Sequence, residues 1–327
     1  MRKLAASDGS ERQSYSVTPP VTRGALAVTH VLHLRSRLAG IERLSDRAPD
    51  GAASGEGTMP QLVTVLAVNA GVIVALFVLA WAICVAMRDC TPVDSLWGLG
   101  MGVTAISTFI QTGGGTPRRI VLTGICVAWA LRLGGYLVWR WRDHGPDGRY
   151  VRMLDKAKVE RGWGYGYAAF RLVFLLQMPL LWLVCLPVQL GQIAAEPSRL
   201  GLVGWIGAGL AVFGLAFESL ADWQLVRFKR DPANTGDVLD RGLWRYTRHP
   251  NYFGDACVWW GLWLVAAETT PGLFAVIGPA FLVFTLTRWS GVPTVEGRLR
   301  RRKPAYDAYM RRTSGFVPWP PKPREGS

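Results

Sequence analysis

The segment RHPNYFGD, residues 248–255, places several polar and charged side chains at the edge of an apolar, tryptophan-rich segment. Arginine can donate a planar fork of hydrogen bonds to a phosphate group. Pro250 can begin a helix, so that Asn251 lies at an N-terminus whose free amide groups favour anions. A capped helix with lipid-facing arginines would need only one or two polar groups, so the larger set favours an anionic cofactor. The predicted binding residues here are Tyr246, Arg248, His249, Asn251, Tyr252 and Asp255.

Carboxylates also occur inside apolar segments. Glu218 and Asp222 are four residues apart, which puts both on one face of a helix. With Asp255 they flank the basic loop 225–251. Charged groups inside a bilayer are costly, and by default they indicate function. We therefore add four residues to the predicted cofactor site: Arg132, Glu218, Asp222 and Lys229.

The C-terminal segment 295–321 repeats this combination of basic and aromatic residues. Tyr306 and Tyr309 are three residues apart and share a helix face. The run RRRK alone is equally typical of a segment that binds anionic lipids. Because this segment and the basic loop flank the last two apolar segments, we predict that Tyr306, Tyr309 and Arg312 reach the same pocket.

Seven apolar blocks must position these groups. A helix needs about 20 residues to cross the ~30 Å hydrocarbon core, and soluble core helices are shorter. Hydrophobic residues make up 50% of the 327, the mean hydropathy is +0.19, and charges lie almost wholly between the blocks. We predict an all-α, polytopic membrane protein whose loops close a cofactor pocket. The blocks are 61–87, 93–111, 120–140, 168–190, 200–222, 252–268 and 272–289.

Topology accounts for the net charge of +14. Segments 139–162, 225–251 and 288–327 hold 7, 6 and 10 of the 37 lysines and arginines, whereas loops 191–199 and 269–271 hold one and none. Positive charge favours the cytoplasmic side of a membrane. We predict that the basic loops and the C-terminus are cytoplasmic. The expected partners are membrane lipids and a lipophilic small molecule, with no nucleic acid and no protein partner indicated.

Neither a metal site nor a soluble nucleotide fold is predicted. The five cysteines form no CxxC pair, and the four histidines form no HExxH motif. The stretches GLGMG (98–102) and GWGYG (162–166) lack the strand–turn–helix frame of a dinucleotide fingerprint. We interpret their glycines as sites of close helix packing or loop bends.

Residues 1–58 differ in composition from the rest of the chain. Ser, Gly, Arg and Asp dominate, GAASGEGT is typical of a flexible linker, and the continuous apolar stretch of a signal peptide is missing. We expect either a disordered tail or a true start at Met59; the second is slightly favoured because a charged tail would have to be translocated. We predict a membrane-embedded domain over 59–321 and a disordered C-terminus over 322–327.

A family resemblance rests on two long segments, FESLADWQLVRFKRDPANTGDVLDRGLWRYTRHPNYFGDACVWWG and RRRKPAYDAYMRRTSGFVPW. They resemble the DUF1295 family of the steroid 5α-reductase C-terminal-domain superfamily, and the resemblance covers about residues 61–321. Relatives are seven-helix membrane enzymes that reduce an enone carbon–carbon double bond with NADPH bound from the cytoplasmic side. The resemblance implies an NADPH-dependent reductase-like enzyme for a lipophilic, steroid-like or isoprenoid substrate.

The resemblance also assigns roles to single positions. Asn251 and Asp255 match the asparagine and the acidic residue of the reductases' Asn–(Phe/Tyr)–(Leu/Phe)–Gly–acidic motif. The other positions that match reductase residues are Arg132, Asp222, Tyr246 and Tyr309.

The chain departs from the reductases at the catalytic positions. Steroid reductases have a carbonyl-polarising tyrosine three residues before the third-helix arginine, where this chain has Trp129. Asp94 is the nearest candidate for their membrane glutamate. We predict Asp94 and Trp129 as catalytic residues, with Asp94 a proton donor if burial keeps it protonated. The alternative for Asp94 is an ion pair with Arg132.

A second class of enzyme stays open. Isoprenylcysteine and phospholipid methyltransferases also carry an Arg-His-Pro-x-Tyr segment, a later glutamate and a Tyr-x-x-Tyr-like tail, which bind S-adenosylmethionine. Residues 248–252 and Glu296 fit that pattern. Residues 253–255 and the upstream carboxylate pair favour the reductase. A non-enzymatic lipid-binding scaffold would leave the buried carboxylates without a task.

Overall fold

The computed structural model describes residues 58–323 of the chain. They form helices joined by turns, with an isolated parallel β-bridge between Thr247 and Ser314 and no strand, so the predicted all-α class is confirmed. The predictions for the N-terminal tail and for 324–327 lie outside the described residues. The helices are α1 Thr58–Met87, α2 Val93–Gln111, α3 Pro117–His144, α4 Gly148–Arg161, α5 Tyr165–Val184, α6 Leu186–Leu190, α7 Leu202–Arg230, α8 Pro250–Ala266, α9 Thr270–Arg302 and α10 Tyr306–Arg312.

Two long helices contain irregular turns. In α5 a π-helical turn occupies Phe170–Phe174. In α9 a second π-helical turn occupies Thr285–Trp289, and the helix then continues as the basic stretch Gly291–Arg302. The apolar and the basic part of α9 are therefore separate stretches of one element.

Six helices are long and apolar enough to cross a membrane, namely α1, α2, α3, α5, α7 and α9. They coincide with six of the seven predicted blocks and indicate a multi-pass membrane protein. The remaining block, 252–268, is α8, whose 17 residues lie at the lower limit for a crossing, and it is not among the six. The predicted count of seven is therefore not confirmed. α8 packs between α7 and α3, and most of its residues are buried.

The α7–α8 contact brings two backbones unusually close. A Cβ atom on Gly214 would lie 2.5 Å from the carbonyl oxygen of Gly254, and one on Gly254 would lie 2.6 Å from the amide nitrogen of Glu218. Seven residues further along α8, a Cβ on Gly261 would lie 2.5 Å from the nitrogen of Ala211. Small residues allow membrane helices to approach in this way. The contact holds the carboxylates of α7 beside the first turn of α8.

The glycine-rich stretches have the roles expected of them. Within GLGMG, a Cβ on Gly98 would lie 3.1 Å from the nitrogen of Gly134, and one on Gly102 would lie 2.8 Å from the Cβ of Ala130. Close packing of α2 on α3 is therefore confirmed. Gly162 ends α4 with φ of 69°, a left-handed conformation that glycine adopts without strain.

Candidate functional site

A buried ionic cluster joins α3, α7 and α8. Arg132 donates from Nη1 to Oε1 of Glu218 and from Nη2 to Oδ2 of Asp222, each at 2.5 Å, and Nη2 also donates to the Glu218 carbonyl oxygen at 3.0 Å. Nδ2 of Asn251 donates to Oδ1 of Asp222 at 3.3 Å. Glu218 and Asp222 are both buried. The structure thus brings four of the sequence-predicted residues together.

Two tryptophans form the apolar wall of this cluster. Nε1 of Trp129 donates to Oε2 of Glu218 at 3.0 Å, so its N–H is already used. The Trp129 ring packs edge-on against Trp259, with ring centroids 5.3 Å apart. Trp259 is fully buried, and its Nε1 has no acceptor among the described residues.

With Asp255 included, the cluster carries more negative than positive charge. Its Oδ1 is buried and has no hydrogen-bond donor within the described part of the chain. Arg132 bonds to Glu218 and Asp222 instead. Three carboxylates thus face one guanidinium, and an unpaired buried charge is costly. The arrangement fits a carboxyl that carries a proton or that binds a donor on a ligand.

Asp94 lies in a second cluster, at the start of α2. Nη2 of Arg149 donates to its Oδ2 at 2.8 Å, the Tyr150 hydroxyl donates to its Oδ1 at 2.6 Å, and Arg140 lies 3.7 Å away. The expected alternative of an ion pair with Arg132 is wrong, because α7 holds that guanidinium. Burial, assisted by the charge of Asp94, raises the pKa of Tyr150. Asp94 is therefore an acceptor of two hydrogen bonds in this structure.

Arg248 and His249 both contact Glu296 of α9. Nε of Arg248 donates to Oε1 of Glu296 at 2.7 Å, and Nε2 of His249 lies 3.1 Å from the same oxygen. Nη1 of Arg248 donates to the carbonyl oxygens of Met310 and Thr313, at 3.1 and 2.6 Å. These bonds tie the loop before α8 to the C-terminal segment and use most of the Arg248 donors.

The C-terminal segment runs beside the same loop as extended chain. The Thr247 hydroxyl donates to the Phe316 carbonyl oxygen at 2.8 Å, and the amide of Trp319 donates to the carbonyl oxygen of Tyr246 at 2.9 Å. The Tyr246 side chain itself is 43% exposed. Tyr252 stacks on the ring of His249 with centroids 5.3 Å apart. Tyr246 therefore borders the tail, while Tyr252, in the first turn of α8, stacks on His249.

Tyr306 and Tyr309 share a helix face that points into the protein. Both are buried, and their ring centroids lie 5.7 Å apart. The Tyr309 hydroxyl donates to the Trp244 carbonyl oxygen, and Arg312 pairs with Asp240. Burial raises the pKa of both tyrosines. These three predicted residues hold the tail against the basic loop.

A group of cations gathers beside the buried cluster. Lys229, at the end of α7, lies within electrostatic range of Arg140, Arg298 and Lys303. Among residues 58–323, neither Lys229 nor Arg298 forms an ion pair. Like charges at close range repel, so this surplus of positive charge fits an anionic group such as a phosphate.

Two open cavities lie apart from the ionic cluster of α3, α7 and α8. Cavities of about 500 and 320 Å³ run along the loop after α7, and of the sequence-predicted residues only Tyr309 and Arg312 line one of them. The described residues contain no group of three or more His, Cys, Asp or Glu side chains that could hold a metal ion. The buried ions and neighbouring cations, rather than these cavities, define the candidate site.

Comparison with known proteins agrees with the sequence resemblance. The family model described as a protein of unknown function, DUF1295, matches residues 80–313, more than half of the chain. The chain belongs to the DUF1295 family. This DUF1295 protein is 24% identical over 269 residues to an uncharacterized protein of Schizosaccharomyces pombe, covering 73% of this chain and 75% of that relative. No solved structure matches it.

Some site residues of the DUF1295 protein were not predicted. Trp259 follows Asp255 by four residues, a spacing that places both on one face of α8 and could have identified it. Arg140 and Arg298 lie in basic runs, and only the fold shows that they meet Lys229. The unpredicted Arg149 and Tyr150 bind Asp94 from the first turn of α4.

Proposed function

We propose that this DUF1295 protein is a membrane oxidoreductase that reduces the carbon–carbon double bond of a lipophilic enone with NADPH. The observation that carries the proposal is the group of cations beside the buried cluster of α3, α7 and α8, in which Lys229 and Arg298 form no ion pair among the described residues. A dinucleotide has an anionic end and a neutral amide at its reactive end. The cations suit the anionic end of the dinucleotide, and the side-chain amide of Asn251 suits the nicotinamide.

The residues fit NADPH better than NADH. NADPH carries an additional 2′-phosphate, and Lys229 and Arg298 have no carboxylate partner among the described residues to compete for it. Asn251 and Asp255 lie in the first turns of α8, where free backbone amides also favour an anionic ligand. Lys229, Arg298 and Arg140 would hold the phosphates, while Asn251 would hold the nicotinamide.

The bound cofactor would supply the hydride, and the protein would supply a dry, oriented site. Trp129 and Trp259 belong to the apolar core between the membrane helices, which excludes water from the reacting atoms. A lipophilic substrate can reach that region from the bilayer. We assign the cation group to the cytoplasmic face, because the basic loops dominate that side of the chain.

The proposal is tested by thermal-shift titration of the purified protein with NADPH, NADH and S-adenosylmethionine. A ligand that binds only the folded state stabilises it by about 2.7 kcal/mol at a hundredfold excess over its Kd. We expect the largest rise in Tm with NADPH and a smaller one with NADH. A rise with S-adenosylmethionine and none with NADPH would reject the reductase.

One observation supports the alternative hypothesis, a methyltransferase. Arg248 and His249 both contact Glu296, so the Arg-His-Pro-x-Tyr segment and the later glutamate form one cluster. The methyltransferase ranks second because Arg248, His249 and Glu296 bond to one another and to carbonyl oxygens of the tail. Among residues 58–323, by contrast, Asp255 Oδ1 has no hydrogen-bond donor and Lys229 has no ion-pair partner. The same titration separates the two candidates.

A further inference from the structure

Two polar atoms on α8 have no hydrogen-bond partner among residues 58–323. Asp255 and Trp259 are one helical turn apart, which places them on the same face with Cβ atoms about 5–6 Å apart. In the described part of the chain, the buried Oδ1 of Asp255 meets no donor and the buried Nε1 of Trp259 meets no acceptor. Buried polar atoms in folded proteins are nearly always hydrogen-bonded. A pair left unbonded on one face therefore points to a ligand that bonds both.

The charges around Asp255 favour its neutral form. Arg132 of α3 faces it, but the guanidinium bonds to Glu218 and Asp222 of α7. Those two carboxylates add negative charge on the same side, and Asn251 of its own helix bonds to Asp222. Because Arg132 bonds to the other two carboxylates, the partly buried Asp255, whose Oδ1 is buried, is best accommodated with a proton, which makes it a hydrogen-bond donor like Trp259.

We propose that the Asp255 carboxyl and the Trp259 indole N–H together bind the carbonyl oxygen of the enone, and that Asp255 donates the proton of the reduction. This inference rests on the proposed function. Two N–H or O–H donors on one carbonyl oxygen form an oxyanion-binding pair, which stabilises the negative charge that develops there. The other candidates are engaged: Asp94 accepts bonds from Arg149 and Tyr150, and Trp129 donates to Glu218.

The proposed step is balanced in electrons and protons. As hydride from NADPH bonds to the β-carbon, the alkene electron pair moves toward the carbonyl and one C=O pair moves onto the oxygen. The O–H bond of Asp255 breaks, and its proton goes to that oxygen to give the enol. The enol then takes up a proton at the α-carbon and loses the one on oxygen, which gives the saturated ketone. Asp255, left as a carboxylate, regains a proton from water.

Infrared spectroscopy of a bound enone tests this inference through the carbonyl stretching frequency. Cholest-4-en-3-one and β-ionone, each labelled with ¹³C at the carbonyl, are bound to the detergent-purified protein without cofactor, and the infrared band of the bound probe is recorded. Two donors lower the carbonyl stretching frequency. We expect a downshift in the wild type, a smaller one in Asp255→Ala and in Trp259→Phe, and a nearly free value in the double variant. Trp260→Phe, the matched control, should retain the wild-type band.

Turnover gives a second readout. Asp255→Asn keeps the shape and an N–H donor but has no acidic proton, so we expect a downshifted band, a KM near the wild-type value and a kcat lowered about 10²- to 10³-fold. This isosteric variant carries the test if Asp255→Ala or Trp259→Phe does not fold. It also separates proton donation from a merely structural role.

Different results would overturn the assignment of Asp255 and Trp259 and the enone reductase proposal. A wild-type downshift that persists unchanged in Asp255→Ala and Trp259→Phe, or full kcat in Asp255→Asn, would overturn this inference while the reductase proposal stands. A wild type that binds neither probe and oxidises no NADPH with them would overturn the enone proposal, and the inference with it.

Discussion

Arg118 and Arg132 are both arginines of α3 with little exposure, yet their partners differ in kind. Arg118 donates to four backbone carbonyl oxygens of the loop after α6, those of Gly191, Ala194, Glu196 and Pro197. Arg132 donates to carboxylate side chains that also meet Asn251 and Trp129. Backbone partners fix a loop, whereas side-chain ions can exchange partners when a ligand binds. Of the two arginines, only Arg132 has partners suited to a ligand-binding site.

Replacing Asn251 by alanine should weaken NADPH binding without loss of the fold. The side chain loses its hydrogen bond to Asp222 and any bond to the cofactor, which should cost about 1–3 kcal/mol, or roughly 5- to 150-fold in Kd. Binding is measured by fluorescence titration of the purified variant. Ser219→Ala, a change on α7 that removes only a bond to Leu215, is the control. Unchanged affinity in Asn251→Ala would put the pocket elsewhere.

Removing Lys229 and Arg298 together should reduce the preference for NADPH over NADH. Both lack an ion-pair partner in the described chain, so their loss removes attraction for the additional phosphate without breaking an internal bond. We expect the Kd for NADPH to rise about tenfold or more, equal to about 1.4 kcal/mol, with a small change for NADH. Arg300→Ala, which loses a surface pair with Asp307, is the control. An equal loss for both nucleotides would contradict this assignment.

Among the helices, the contact of α7 with α8 decides whether the site forms. Gly214, Gly254 and Gly261 leave no room for a Cβ atom, and this closeness sets Glu218 beside the first turns of α8. Spacing in the sequence indicated that Glu218 and Asp222 share a face. The spacing could not indicate that this face packs against α8, because the close approach depends on which glycines of the two helices come into contact.

Gly254→Ala should therefore lower both stability and cofactor affinity. The added methyl group would lie 2.6 Å from the Glu218 nitrogen, so the helices must separate. Overpacking of this kind costs about 1–3 kcal/mol. Gly209→Ala is the matched control on α7, because its Cβ would meet nothing within 4 Å. Thermal unfolding and NADPH titration of both variants check this, and equal behaviour of the two would show that the contact is not tight.

Across the described chain, the tail and the basic loop close on each other through Arg248. Its bonds to Glu296, Met310 and Thr313 hold the C-terminal segment, so Arg248→Ala should release it. We expect faster chymotryptic cleavage at the tail aromatic residues, followed by mass spectrometry. Arg245→Ala, an exposed arginine of the same loop, should leave the cleavage rate unchanged. Equal protection in both variants would mean that other contacts hold the tail.

Much of the architecture was accessible from the sequence, because apolar length and charge placement determine which segments are membrane helices. The sequence predicted the helical class and six membrane segments. It also placed Arg132, Glu218, Asp222 and Asn251 in one site. The partners of Asp94 could not be predicted from the sequence, because Arg149 and Tyr150 are brought to it by the fold of the short helix α4. The packing of Arg248 against the tail could not be predicted either. The sequence does not show whether an arginine donates to backbone carbonyl oxygens or to a phosphate.

The most direct test of the central claim is a cryo-electron microscopy map of the protein in lipid nanodiscs with saturating NADPH. The account predicts density for the dinucleotide with its nicotinamide beside Asn251 and Asp255 and its phosphates beside Lys229 and Arg298. A dinucleotide held instead in the open cavities along the loop after α7, or a map without one under conditions where S-adenosylmethionine is bound, would contradict it.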